Sequence, residues 1–422
     1  MASVFEVAKS ISIKKVYEKY TGESLDYHRP RGNISCPFHT DAKPSFHLYE
    51  NTNSFYCFSC KKSGSTIDLY KEIMGVVDDY GAAKDLCDAF GLSYDVQEPN
   101  PGYRDYVNVY NWVAQFYNYL LHSSTCPNPE YFSSRGFSSL EKEYLLGYCP
   151  AVFIDKSNQV NNLKNILKNK FPKIDDATLD SYGLYDSNGY SIMAGRYTFP
   201  IFDSRGNVIG FSGRTTDADN PAKYLNTPET AFFKKRFVLY NYHKAKKYGQ
   251  VYVVEGYCDA LSLIALGVPN VVAAMGTSFT FDHMNILKDK EIILSLDNDS
   301  AGKTQMYNLI KSNKNVSFKV LVWDGAKDFN EMLLKDTLAL KELLSTPKLI
   351  SAPEYVINYL KVSLDLSQLS ERDKFWIEIA SLIGANDKRY LTKYPLNTMY
   401  TPVSIDYYWT IVKRIIKGKR GK

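Results

Sequence analysis

The stretch that decides the fold runs from 251 to 324: VYVVEG (251–256), NVVAAMG (270–276), EIILSLD (291–297) and FKVLVW (318–323) are apolar runs of strand length. DALSLIALG (259–267), FDHMNILKD (281–289) and AGKTQMYNLIKS (301–312) alternate with them at helical length. Such alternation predicts a parallel, doubly wound sheet, in which the crevice lies beyond the carboxyl ends of the strands. Glu255, Asp297 and, after FKVLVWDGAK, Asp328 fall at or just after such ends. Asp297 and Asp299, two apart, send both side chains to one side of an extended chain, and Ser300-Ala301-Gly302 turns into the next helix. Carboxylates crowded into one crevice repel each other unless protonated or bound to cations, so Mg2+ or Mn2+ is the natural occupant. Two such ions, about 3.5–4 Å apart, can activate an attacking hydroxyl and stabilise leaving phosphate oxygens. Asp259, four residues beyond Glu255, fits a first-turn helix acid equally well.

Working outward, 422 residues imply roughly three domains of about 150, and 45% hydrophobic with 14% aromatic residues suffices for packed cores. No run approaches the roughly 18 apolar residues of a membrane span, and MASVFEVAKSISIKK lacks the features of a secretory signal, so a cytoplasmic setting and no membrane partner are expected. A net charge of +5 permits an anionic partner without demanding one, and seven cysteines read as reduced thiols, some of them metal ligands. Pro99, Asn100, Pro101 and Gly102 predict an exposed linker. Tyr106, Tyr110, Trp112, Phe116, Tyr117 and Leu120 recur at helical spacing over 103–122, a face for a second core, and TFPIF–DSRGN–VIGFSG (198–213) predicts a β-hairpin.

In the N-terminal lobe Cys36-Pro-Phe-His39 is followed after seventeen residues by Cys57-Phe-Ser-Cys60. Two close ligand pairs joined by a loop can wrap a tetrahedral ion, and three thiolates with one imidazole leave no open position, so one structural Zn2+ is expected. Cys87, Cys126, Cys149 and Cys258 have no partnered spacing and read as core thiols. Lys43, Lys61 and Lys62 are interleaved with Phe46, Tyr49, Phe55, Tyr56 and Phe58, a combination suited to single-stranded nucleic acid, although a core this small claims some of those rings. A basic stretch, Arg196, Arg214, Lys223, Lys234, Lys235 and Arg236, precedes the acidic sheet; isolation among Gly, Pro and apolar residues favours a pocket role for Arg214 and Lys223.

These residues carry a resemblance to the DnaG-type primases of bacteria and their phages. CPFH, seventeen residues, CFSC and then GSTIDL are similar to that family's zinc-binding domain. YFSSRGFS, LGYCP, GRYTFPIFDSRGNVIGFSGR, PAKYLNTPET and FFKK resemble its RNA-polymerase domain, and VEGYCDALSL, GTS, LDNDSAG and KDFNEML its Toprim core. The resemblance implies a mixed α/β chain: a zinc-binding domain over 1–98, a linker at 99–103, an α+β part of the polymerase domain over 104–245, a parallel-sheet Toprim core over 246–345, and a helical subdomain with basic tail over 346–422. It further implies an enzyme that makes short RNA primers on a single-stranded DNA template from ribonucleoside triphosphates, leaving an RNA–DNA hybrid. Glu255, Asp297, Asp299 and Asp328 would then hold catalytic Mg2+ or Mn2+ or assist proton transfer, and Arg196, Arg214, Lys223, Asn226 and Lys235 would bind nucleotide and template.

Two departures stand out. Asn330 occupies a place where the family often carries another carboxylate. Only some 70 residues follow 350, ending in VKRIIKGKRGK, too few for the family's large helicase-binding domain, so a replicative helicase would be met by another surface and a phage or mobile-element source is plausible. Rival readings are a Toprim DNA-cleaving topoisomerase or nuclease and a catalytically silent zinc DNA-binding adaptor; the zinc lobe and the basic motifs count against the former.

Overall fold

A computed structural model of the chain describes residues 4–25, 33–41, 43–76, 79–93, 101–154, 159–275, 279–313 and 316–383. The GTS motif (276–278), Pro99 and Asn100 of the expected linker, and the basic tail lie outside the described residues. The chain divides into two compact units, one of residues 1–248 and 256–288 and one of residues 249–255 and 289 onward.

In the first unit, a three-stranded antiparallel sheet of Phe46–Tyr49, Ser54–Cys57 and Ser63–Ser65 carries the N-terminal lobe. Helices Val4–Ser10, Ile13–Thr21, Thr66–Met74 and Asp79–Ala89 close over it. Its core is built of Tyr17, Phe46, Phe55, Leu69, Ile73 and Leu86 with their neighbours. The GSTIDL motif is a helix start: Ser65 caps the helix at Asp68, whose carboxylate accepts from the Ser65 amide (2.8 Å) and hydroxyl (2.7 Å). Gly64 leaves room for it, because a Cβ there would sit 2.4 Å from the Asp68 Cβ.

Pro101 and Gly102, expected in the linker, open the helix Pro101–Leu121 instead. The reason is positional: a proline in the first helical turn gives up an amide that has no intrahelical acceptor there. The helix buries Tyr106, Tyr110 and Tyr117 completely, as the spacing predicted. Each hydroxyl is satisfied inside, Tyr106 by the Ile209 carbonyl (2.7 Å), Tyr110 by that of Tyr182 (2.7 Å) and Tyr117 by Ser191 (2.8 Å). The predicted hairpin is present as Arg196–Phe202 and Val208–Arg214, inside a four-stranded antiparallel sheet with Gly147–Cys149 on one edge and Tyr224–Asn226 on the other. Its turn is set by Asp203, whose Oδ1 accepts from the amides of Arg205 and Asn207.

The second unit holds Gln250–Val254, Glu291–Leu294 and Phe318–Leu321 as parallel strands. Val251 to Val254 and Ile292 to Leu294 are buried without interruption, the pattern of strands covered on both faces. One strand was not anticipated: Leu349–Ser351 pairs antiparallel to Phe318–Leu321 at the edge, within the segment read from sequence as purely helical. Three residues are too short for an alternating pattern to register. Helices Ser300–Ser312, Phe329–Lys335, Thr337–Ser345, Ala352–Ser363 and Leu369–Ile383 complete the unit.

Candidate functional site

The first constellation is the cysteine–histidine cluster. One donor atom from each of Cys36, His39, Cys57 and Cys60 lies within 4.8 Å of the others. Cys36 Sγ and Cys60 Sγ are 3.9 Å apart, close to the roughly 3.8 Å edge of a tetrahedron built on 2.3 Å zinc–sulfur bonds. Backbone amides of Phe38 and Cys60 donate to the sulfurs of Cys36 and Cys57. Burial raises the Cys57 thiol, but Ser45 and the amides of Cys60 and Ser59 outweigh it and bring it down to about 7, so a thiolate is readily formed there. Neither ring nitrogen of His39 makes a hydrogen bond, although both are buried, and the Asp41 carboxylate lies beside the ring, 2.8 Å from Nε2. A half-buried imidazole with an unused nitrogen and a carboxylate neighbour fits a metal ligand. The donor set and its spacing therefore fit zinc.

Around it the aromatic residues divide. Phe46 and Phe55 are core, whereas Tyr49 and Phe58 are exposed, with Phe58 edge-on to Tyr56. Lys43 and Lys61 are exposed, but Lys62 is paired with Glu72 and lies over the Phe38 ring, so it faces inward to the lobe.

The second constellation lies in the second unit. Glu255 follows the strand Gln250–Val254 directly, and Asp297 follows Glu291–Leu294 after Ser295 and Leu296. Asp299 and Asp328 are not free strand-end acids: each is the N-cap of the next helix. Asp299 Oδ1 accepts from the Gly302 amide (2.8 Å), and Asp328 Oδ1 from that of Glu331 (2.7 Å). Asp299, two residues beyond Asp297 and still extended, thus caps the helix that begins at Ser300. Gly302 permits that turn: a Cβ there would lie 2.2 Å from the Asp297 carbonyl oxygen.

The four acids share one field. Burial, then Glu255, Asp328 and Asp299, push the Asp297 carboxyl up to about 7. Burial and the Asp299 charge raise Glu255 as well. Asp299 itself is held low, chiefly by the Gly302 amide and then by Lys327. No three of the acids bring their oxygens within 4.8 Å of one another among the described residues. A proton near neutrality and one lysine are what the cluster uses against its own repulsion, and a divalent cation would serve the same end. That lysine, Lys327, escaped the sequence reading. Its Nζ is 3.3 Å from Asp299 Oδ2 and its charge also acts on Asp297 and Glu255. The only sequence signal was its place beside Asp328 in KDFNEML. Asn330, the departure noted above, is buried in the first turn of the helix Phe329–Lys335.

The basic residues of the first unit have diverse surroundings. Arg196 is buried and its Nη1 donates to the carbonyls of Gly213 (3.3 Å), Ala222 (2.8 Å) and Lys223 (3.4 Å), so this guanidinium serves the loop that presents its neighbours. Arg214 lies over the exposed ring of Tyr224, 5.5 Å to its centroid, with no carboxylate within ion-pair distance among the described residues. Lys223 is exposed. Asn226 accepts a hydrogen bond from Tyr257. Lys235 is half-buried, and burial lowers its pKa. Cys258, read as a core thiol, is only partly buried; its sulfur is 3.8 Å from Arg135 Nη1 and from the Tyr224 hydroxyl. Arg135 and Tyr224 had gone unmarked, because isolated residues in YFSSRGFS and PAKYLN carry no spacing signal.

Known families match the chain in three consecutive blocks: the CHC2 zinc finger over residues 2–101, the DNA primase catalytic core, N-terminal domain, over 116–246, and a Toprim-like domain over 252–333. The chain belongs to the DnaG-type primases. The DNA primase of Lactococcus lactis is 32% identical over 370 residues, 83% of this chain and 56% of that relative, and the DNA primase of Helicobacter pylori 30% over 390 residues, 88% and 66%. The chain thus spans between about half and two thirds of the length of these primases. Among solved structures, the zinc-binding and RNA polymerase domains of the Aquifex aeolicus primase match with a TM-score of 0.57 and 26% identity over 97% of this chain and 99% of that one. The RNA polymerase domain of the Mycobacterium tuberculosis primase DnaG, in complex with double-stranded DNA, matches with a TM-score of 0.57 and 25% identity over 69% and 96%. The CHC2 zinc finger match and the Cys/His cluster support zinc, and the Toprim-like match suggests a divalent metal. Among the described residues no helix is long and apolar enough to cross a membrane.

Proposed function

We propose that the chain is a DNA primase, synthesising short RNA primers on single-stranded DNA from ribonucleoside triphosphates. The observation that carries this reading is the field around Asp297, whose carboxyl is pushed up to about 7 by burial and three neighbouring acids. Such a cluster is poised to exchange a proton for a metal at working pH. Mg2+ or Mn2+, when bound, would supply Lewis acidity toward phosphate oxygens. Glu255, Asp297, Asp299 and Asp328 would hold it. The two helix caps fix the oxygens of Asp299 and Asp328, so little reorganisation is required when charge develops during attack of a 3′ hydroxyl on an α-phosphate.

Arg214, Lys223, Asn226 and Lys235 would neutralise and orient phosphates of template or nucleotide, and Arg196 would act through the carbonyls of Ala222 and Lys223 that it ties down. Zinc held by Cys36, His39, Cys57 and Cys60 would keep the lobe folded, and its exposed Tyr49 and Phe58, with Lys43 and Lys61, suit stacking and neutralisation of a single strand.

The test is incubation of the protein with single-stranded DNA, labelled ribonucleotides and Mg2+ or Mn2+. Primers are expected, and Asp297→Ala should abolish them with zinc content unchanged. Nicked DNA would point to a cleaving enzyme, and unimpaired synthesis by the Asp297→Ala protein would remove the acids from the chemistry.

A further inference from the structure

Tyr257 is the first residue of the helix Tyr257–Ala265 in the first unit, and it is 3% exposed. Its ring is packed from several sides: stacked with Phe199 (centroids 5.4 Å apart), nearly parallel to Tyr224 (6.1 Å) and edge-on to Tyr240 (5.0 Å). A ring so enclosed has one orientation, and its hydroxyl points one way. That hydroxyl donates to Asn226 Oδ1 at 2.9 Å.

The consequence falls on the other end of the Asn226 amide. A primary amide can present either its oxygen or its nitrogen in a given direction, at little cost unless a partner decides. With Oδ1 claimed by a phenol from within, Nδ2 must carry its two N–H donors away from Tyr257. Asn226 ends the edge strand Tyr224–Asn226, is partly exposed, and its Nδ2 donates to no other group among the described residues. Arg214 stands opposite Tyr224 in the neighbouring strand, and so on the same face as Asn226, with its guanidinium over the Tyr224 ring; exposed Lys223 immediately precedes the strand. Two outward N–H donors on a face that also carries a guanidinium form a receptor for phosphate oxygen, not for another cation.

We infer that Tyr257 is a positioning residue that holds Asn226 with its amide N–H groups outward, making it a phosphate-binding donor for the nucleic-acid strand or the incoming nucleotide. This rests on the primase reading for the source of the phosphate but not for the geometry. Tyr257 does its work through Asn226 and touches no substrate. The same stack keeps the Tyr224 ring flat against the surface that Arg214 shares.

The experiment uses the full chain and two probes: affinity for a labelled oligothymidylate without nucleotide, and KM for ribonucleoside triphosphate in primer extension. Tyr257→Phe keeps the ring and removes only the hydroxyl. The melting temperature should stay within a few degrees of wild type, with a rise of about five- to tenfold in oligonucleotide Kd, in KM, or in both, and kcat within about twofold. A rise in Kd alone assigns the phosphate to the template, a rise in KM alone to the triphosphate. Two variants at Asn226 keep the test sharp. Asn226→Asp still accepts from Tyr257 but has no N–H to offer, so it should bind no better than Asn226→Ala; binding at the wild-type level would overturn the inference. In the Asn226→Ala background, Tyr257→Phe should cost nothing further, and an undiminished effect there would mean that Tyr257 acts by some other route. If the wild-type protein makes no primers yet its oligonucleotide Kd responds to Tyr257→Phe in this way, the primase reading fails and the positioning role stands. An unchanged Kd and KM in Tyr257→Phe removes the role while primer synthesis by wild type keeps the reading.

Discussion

Replacing Gly302 by alanine separates two forces of opposite sign. Gly302 is the third residue of the helix Ser300–Ser312, and helix propensity alone favours alanine there by about 1 kcal/mol. The new Cβ, however, would stand 2.2 Å from the Asp297 carbonyl oxygen, 2.9 Å from its carbonyl carbon and 3.1 Å from its Cα. All three atoms are backbone and cannot rotate aside. Measured against the 3.4 Å where ordinary contact begins, the shortfall is about 1.2 Å, so either the 297–299 turn or the first turn of the helix must shift by about that much. Overpacking of this kind costs roughly 1–3 kcal/mol, and a weakened Asp299 cap at the same amide adds about 0.5–2 kcal/mol. Set against the propensity gain, the net expectation is a loss of about 0.5–4 kcal/mol. Urea unfolding followed by tryptophan fluorescence reads it, since Trp323 and Trp376 are buried in the second unit. Under the proposed function, a displacement near 1 Å of Asp297 should also lower primer synthesis by about 10²-fold, with zinc content unaltered. A Gly302→Ala protein as stable as wild type, or more so, would show that the close approach exerts no constraint and that propensity prevails.

Other perturbations follow from the same geometry. Asp297 titrates near 7 in the fold against about 3.8 unfolded, so it costs nothing at low pH, where both states are protonated, and its cost grows as pH rises through that window. In protein without added Mg2+, Asp297→Asn should therefore gain on wild type by about 1–2 kcal/mol between pH 5 and pH 7, half the ideal linkage value because the group is partly solvated, and a pH-independent difference would refute the cause given. Lys327→Met removes the internal counter-charge to Asp299, so half-saturation by Mg2+ in primer synthesis should occur at a lower concentration; a higher requirement would mean that Lys327 helps to hold the metal's ligands in place. Arg196→Met leaves the carbonyls of Gly213, Ala222 and Lys223 short of a donor, with an expected loss of about 2–4 kcal/mol in thermal or urea unfolding, and a neutral substitution would return Arg196 to the surface cations.

Strong periodicities and paired spacings were legible in the sequence. The apolar runs at 251–254, 291–294 and 318–321 marked the parallel strands, and the Cys36/His39 and Cys57/Cys60 pairs marked a cluster that the fold closes within 4.8 Å. What stayed hidden depends on contacts between residues remote in sequence. Nothing local distinguishes Arg196, turned into the fold, from Arg214, stacked on a partner ten residues away. Asp299 and Asp328 read as strand-end acids because capping the next helix and lining a crevice call for the same carboxylate at the same place. Leu349–Ser351 is too short to show a period, and Pro101 reads as a breaker although the first turn of a helix accepts it.

The capping roles of Asp299 and Asp328 bear on ion selectivity. In each carboxylate one oxygen accepts from a helix amide, and the second oxygen of Asp299 also faces Lys327 Nζ at 3.3 Å, so at most one oxygen of each could turn to a visiting cation. Such one-point ligands suit small ions that keep much of their water in an octahedral shell, whereas calcium favours carboxylates that can grip it with both oxygens. Under the proposed function, the start of two helices would therefore favour the smaller ion, through backbone hydrogen bonds and not through the size of any cavity.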